Sequence, residues 1–144
     1  MSFAADLERG LEIERKVLKV IHKKYPQAHI VTALKEYDIW IPEIQKGIEV
    51  KYDPMSCQTG NIVVEFEMNG KESALMATGA DWWIFYDDEV MFSLTPKEII
   101  QVIFNKRLTF RMFTGIGDMY AKKAFLVPKD WLIEKSRILE DNRF

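Results

Sequence analysis

Tyr37-Asp38-Ile39-Trp40-Ile41-Pro42, followed after Glu43-Ile44-Gln45-Lys46 by Gly47-Ile48-Glu49-Val50-Lys51-Tyr52, reads as strand, short connection, strand, and predicts a β-hairpin. Alternation places Glu49 and Lys51 on one face of the second strand and Ile48, Val50 and Tyr52 on the other. The first strand brings a second carboxylate, Asp38, opposite them. Two carboxylates and the Val50 carbonyl offer a hard divalent cation the oxygen ligands it requires. Lys51 stands beside them to orient water or offset developing negative charge. The same residues would also serve as a solvated cross-strand ion pair.

Outward from the hairpin, residues 3 to 24 read as a helix that Tyr25-Pro26 ends. Plotted at 100° per residue, Leu7, Leu11, Leu18 and Ile21 fall within an arc of roughly 80°, with Glu14 near its centre. A glutamate on a core-facing stripe is costly unless a cation or hydrogen bonds meet it. A buried metal centre would meet it; a helix edge from which Glu14 reaches Lys16 or Lys51 is the structural alternative. His29 to Leu34 reads as a strand ahead of the hairpin. Downstream come a polar loop, Asp53 to Gly60, and an alternating strand, Asn61 to Met68. Asn69-Gly70 is a turn, and Lys71 to Thr78 reads as a short helix. Trp82 to Tyr86 and Val90 to Leu94 form a hairpin around Asp87-Asp88. Thr95-Pro96-Lys97-Glu98 is a capping box that opens a helix to about Asn105. Phe110 to Phe113 and Ala124 to Val127 read as strands around Gly115 to Asp118, and Lys129 to Leu139 as a closing helix. The order predicts one α/β domain over residues 1–144, with a mixed central β-sheet flanked by helices.

Bulk properties narrow the chemistry. The 144 residues are 48% apolar and 29% charged, an ordinary globular composition. No apolar run approaches the ~20 residues that span a bilayer, and Met1 to Arg9 contains acids and lacks a signal-peptide core, so the chain reads as cytoplasmic. Cys57 is the sole cysteine and His22 and His29 the only histidines, which excludes a cysteine-based zinc cluster and disfavours a histidine-rich one. A catalytic metal would be held by oxygen, pointing to Mg2+ or Mn2+. The net charge of −2 argues against a protein that coats nucleic acid but leaves room for local docking patches.

Helix-borne Glu14, strand-borne Asp38 and then Glu49-Val50-Lys51 together resemble the PD-(D/E)XK nuclease superfamily, which shares the restriction-endonuclease-like core. The likeness continues through Thr59-Gly60-Asn61-Ile62-Val63-Val64-Glu65-Phe66-Glu67, Gly70-Lys71-Glu72-Ser73 and Thr78-Gly79-Ala80-Asp81-Trp82-Trp83, similar to small phage and bacterial nucleases. The proline that usually precedes the first aspartate is Tyr37 here, and Pro42 stands further on. The resemblance implies metal-dependent endonuclease cleavage of DNA that leaves a 5′-phosphate. Asp38, Glu49 and Val50 would ligate the metal, Glu14 would hold it or its water shell, and Lys51 would assist the attacking water. The small size and the helix-borne glutamate look most like archaeal-type Holliday junction resolvases, which are homodimers acting on branched DNA in recombination.

Other polar residues are candidates for lesser roles. Glu65 is positioned for a second shell or a solvent face. Gln58, Thr59, Asn61, Ser73 and Thr78 could donate to phosphates or serve turns and caps. Lys122 and Lys123, with Arg107 and Arg111, could dock a DNA backbone or be scattered surface charge. Two further readings fit the same residues: a catalytically inactive nuclease-fold module that binds DNA, and a protein-interaction domain whose ion pairs are structural.

Overall fold

The computed structural model describes residues 3–32, 36–114 and 120–143. Its first element, α1 (Phe3–Ile21), turns Ile13, Val17 and Ile21 onto the core. The buried stripe is therefore rotated from the expected one. Leu18 packs at its margin and Leu11 is half-exposed, while the side chain of Leu7 is outside the described set. Glu14 then lies at the edge of the buried face, about 60° from its centre at 100° per residue. After α1 come β1 (His29–Ile30), β2 (Ile39–Ile41) and β3 (Lys46–Tyr52). Residues 33 and 34 of the strand expected to run to Leu34 are not among those described. The central hairpin forms as its alternation predicts, with Ile39 opposite Ile48 and Trp40 opposite Gly47. Gly47 has no room for a side chain: a Cβ there would lie 2.6 Å from the Tyr37 ring.

β3 pairs in parallel with β6 (Trp82–Tyr86), so the chain between them must cross over. That crossover holds α2 (Ser56–Thr59), β4 (Asn61–Met68), β5 (Lys71–Glu72) and a 3-10 turn at Ala74–Met76. The helix expected over Lys71–Thr78 does not form. Asn69 and Gly70 both take positive φ, at 51° and 75°, and this turn folds β5 back onto β4. β7 (Val90–Leu94), α3 (Pro96–Asn105), β8 (Phe110–Phe113), β9 (Lys122–Pro128), α4 (Lys129–Lys135) and β10 (Arg137–Asp141) complete the chain. Thr95 caps α3 through the expected box, its Oγ1 accepting from the Glu98 amide and the Glu98 carboxylate accepting from the Thr95 amide. The closing helix is shorter than expected. At Ser136 the backbone becomes extended, and Arg137–Asp141 joins the sheet beside β7.

The strands make a six-stranded sheet, β1-β2-β3-β6-β7-β10, and a four-stranded one, β5-β4-β9-β8. The larger sheet is mixed: β3 and β6 are parallel and every other neighbouring pair is antiparallel. α1 covers one face, packing on Ile39, Ile48, Ile84 and Met91. Trp83, Phe85, Phe92 and Leu94 on the other face share a core with Ile99 of α3, Leu132 of α4 and Val64 and Val127 of the smaller sheet. This is the expected α/β architecture with a mixed central sheet flanked by helices, enlarged by a second sheet on one side. A buried ion pair ties the two sheets: Lys129 Nζ donates to Asp87 Oδ2 at 2.6 Å, linking the end of β9 to the β6–β7 turn. Among the described residues, no helix is long and apolar enough to cross a membrane.

Candidate active site

Continuing the β2–β3 register by one residue sets Asp38 opposite Glu49. The Asp38 amide still donates to the Ile48 carbonyl at 2.8 Å, but the ladder then changes partner. The Val50 amide donates at 2.7 Å to the Asp38 side chain, at Oδ2. This bond fixes the carboxylate against β3. Because the N–H and C=O of a strand residue point to the same side, the Val50 carbonyl faces the same edge. Glu14 reaches in from α1 and interacts with Asp38 and, more weakly, with Glu49. The helix and the hairpin thus bring three carboxyl groups together.

Their electrostatics reflect the crowding. Burial, then the charge and hydrogen bond of Asp38, then the charge of Glu49 push the Glu14 carboxyl up to about 7. Burial and Asp38 also raise Glu49, against the opposing pull of Lys51. Lys51 lies on the same face as Glu49, its Nζ 3.5 Å from Glu49 Oε1 and 4.9 Å above the Trp83 ring centroid. Trp83 is held from beneath, with its indole N–H donating to Thr78 Oγ1 at 3.1 Å.

Glu49 and Lys51 open into a groove between the two sheets, whereas Glu14 and Asp38 line neither of its two hollows. One hollow, of about 250 Å3, is lined by Glu36, Glu49, Lys51, Ala74, Thr78 and Trp83 among others. It adjoins another of about 420 Å3 whose wall includes Lys51, Asp53, Glu65, Phe113 and Lys122. Glu36 was not singled out from the sequence. Its signal was its place two residues before Asp38, which puts both on one side of an extended chain. Glu65 lines the groove beyond Lys51 with its carboxylate 3.6 Å from Lys122 Nζ, and Lys123 is 2.8 Å from Glu67. The two lysines expected to dock a backbone therefore share their charge with neighbouring glutamates. Thr78 accepts from Trp83 and from the Ala80 amide. The Ser73 hydroxyl is buried without a hydrogen-bond partner, next to Ala74, whose φ is 41°. Gln58, Thr59 and Asn61 line neither hollow, and Thr59 and Asn61 bond to each other in a tight turn.

Among the described residues, no group of three or more His, Cys, Asp or Glu side chains is arranged so that it could hold a metal ion. The chemistry of the donor set is nonetheless that of a hard divalent ion's ligands: it is all oxygen, and burial together with the neighbouring carboxylates raises the Glu14 carboxyl to about 7. No family model, curated protein or solved structure matches the chain.

Proposed function

We propose that this protein is a metal-dependent DNA endonuclease with a restriction-endonuclease-like core, using Mg2+ or Mn2+. The carrying observation is the convergence of Glu14, Asp38 and Glu49, electrostatically coupled, with Lys51 3.5 Å from Glu49 at the mouth of an open groove. A helix, a strand start and a strand centre supply these groups in the order of the PD-(D/E)XK pattern. Asp38 and Glu49 would hold the ion with the Val50 carbonyl, and Glu14 would hold it or its water shell. A divalent ion bound there supplies Lewis acidity toward a phosphoryl oxygen and lowers the pKa of water.

The chain's own groups have defined tasks in this reading. Asp38, braced by the Val50 amide, presents its free oxygen in a fixed direction. Lys51, on the aromatic surface of Trp83, places a positive charge where the attacked phosphate gains negative charge. Glu65 supports Lys122 along the groove. The finer reading is a cytoplasmic homodimer that resolves branched DNA, and the resemblance to junction resolvases supports it.

The test is cleavage of supercoiled plasmid and of a synthetic four-way junction, with and without Mg2+. Metal-dependent nicking or resolution that Glu49→Ala and Lys51→Ala each abolish is the expected result. Binding without cleavage under all metal conditions would make the protein a non-catalytic DNA-binding module and overturn the proposal.

A further inference from the structure

The second half of α1 and the turn after it, Arg15-Lys16-Val17-Leu18-Lys19-Val20-Ile21-His22-Lys23-Lys24, carries five basic residues and no acid, in a chain whose net charge is −2. Lys16, Lys19 and Lys23 line one trough of about 520 Å3, with Val20 beside them, Tyr86 and Met91 as its floor, and Glu140 and Asn142 opposite. Val20 also borders a second, more apolar hollow edged by Lys24 and by Arg137, which stacks 4.6 Å over Trp82 and is ion-paired to Glu98 at 3.0 Å. Among the described residues, none of Lys16, Lys19 and Lys23 has a carboxylate partner. Lys16 sits 6.0 Å from the Tyr86 ring centroid, and the Glu140 carboxylate accepts from Asn142. Lys122 and Lys123, by contrast, lie within ion-pair distance of glutamates.

We infer that this trough, lined by Lys16, Lys19 and Lys23, is a docking site for a nucleic-acid phosphate backbone, separate from the groove at Glu49 and Lys51. From Lys16 to Lys23 the row extends roughly 10 Å at 1.5 Å per residue. That length matches about three phosphates of one strand at 3.4 Å each along the duplex axis. The occupant is a linear polyanion rather than a membrane: the cations line a concavity, and its floor residues Met91 and Tyr86 are buried and offer nothing to insert. Unpartnered lysines release counterions when phosphates replace them, whereas paired ones must first give up a carboxylate.

At 100° per residue the row lies about half a turn around α1 from Glu14. Nucleic acid held there is therefore not the segment lying over the carboxylates. The inference does not need the nuclease reading, but where both hold, one helix grips two segments of DNA on its two flanks, as a branched substrate would allow.

The test is fluorescence anisotropy of a labelled duplex with the full chain in EDTA, from 50 to 200 mM salt (order-of-magnitude range). Lys19→Gln/Lys23→Gln is expected to weaken binding on the order of tenfold, equally for unrelated sequences, and to reduce the log–log salt slope by about 2. Lys19→Arg/Lys23→Arg should retain binding, and circular dichroism should show both variants folded. Unchanged affinity and slope in the glutamine variant, or no duplex binding by the wild type, overturns the inference. So does a loss confined to binding of phosphatidylserine vesicles. Duplex binding that depends on these lysines, without cleavage under any metal condition, would overturn the nuclease reading alone. Cleavage with lysine-independent binding would overturn this inference alone.

Discussion

At Glu14, burial and two neighbouring carboxylates act in one direction, and the result is measurable as pH dependence. Its carboxyl is raised to about 7 from an ordinary 4.5. The folded chain therefore binds this proton more tightly than the unfolded chain. Its contribution to stability is fully present below the unfolded value and is lost as pH rises through the folded value. Without metal, wild type should lose on the order of 1–2 kcal/mol from this group between about pH 5 and pH 8, after allowance for solvent screening of a partly exposed carboxyl. Glu14→Gln should flatten that part of the profile in urea titrations at several pH values; an unchanged slope would place the proton elsewhere. Asp38→Asn separates charge from hydrogen bonding, because the amide oxygen can still accept from Val50. We expect cleavage to fall about 10²–10³-fold with an equal or higher melting temperature in metal-free buffer at pH 8. A marked loss of stability would make Asp38 structural. Sequence located Glu14 through an apolar stripe that is rotated in the structure: Ile13 and Val17 are innermost, not Leu11 and Leu18. Glu14 survived because it lies near the centre of the expected stripe and still at the edge of the buried one. Periodicity resolves a helix face to within a residue or so, and neighbour chemistry must do the rest.

Individual elements depend on contacts distant in sequence. α1 is tied to the sheet where Tyr52 donates to Asp88 at 2.7 Å and Arg9 donates to the Tyr52 hydroxyl at 3.0 Å. Tyr52→Phe should speed amide hydrogen exchange in α1 and weaken Mn2+ binding, since this helix carries Glu14, while β6 and β7 stay protected. Exchange unchanged in α1 would remove Tyr52 from that role. The Asp87–Lys129 pair is buried, at 3% and 8% exposure. Burial alone would raise Asp87, yet bonds from Lys129 and the amides of Val90 and Glu89 outweigh it and hold the carboxyl below its usual value. Lys129→Ala strands that charge and should cost about 3–5 kcal/mol in chemical denaturation. A cost below 1 kcal/mol, on the order of a surface pair, would show that water reaches Asp87. The β2–β3 hairpin and the α3 cap were legible because their signals are local. β5 and β10 were not. Lys71–Glu72 is held extended only by pairing to β4, and Arg137–Asp141 only by pairing to β7. The Asn69-Gly70 dipeptide announces a turn, but the residues after it read as a helix rather than as a strand returning to β4.

For the whole molecule, the proposed metal is a ligand of the native state. If Mg2+ or Mn2+ binds the carboxylate group, saturating it at about 100 times the dissociation constant should add about 2.7 kcal/mol of stability. Thermal melts should shift upward with metal in wild type and not in Glu49→Ala, and an equal shift in both would place the ion elsewhere. The second sheet was not foreseen, because β4 meets its main partner only where Asn61 faces Pro128 and Met68 faces Lys122. No local pattern encodes a pairing of that span. The same connectivity sets a timetable for folding. Closing such long loops is slow, so the nearby β2–β3 hairpin can zip first, bringing Asp38 and Glu49 into register well before β9 docks. A refolding chain should thus hold its acidic cluster in a half-built cleft during the early milliseconds, and the last stretch to settle should be the wall that carries Lys122.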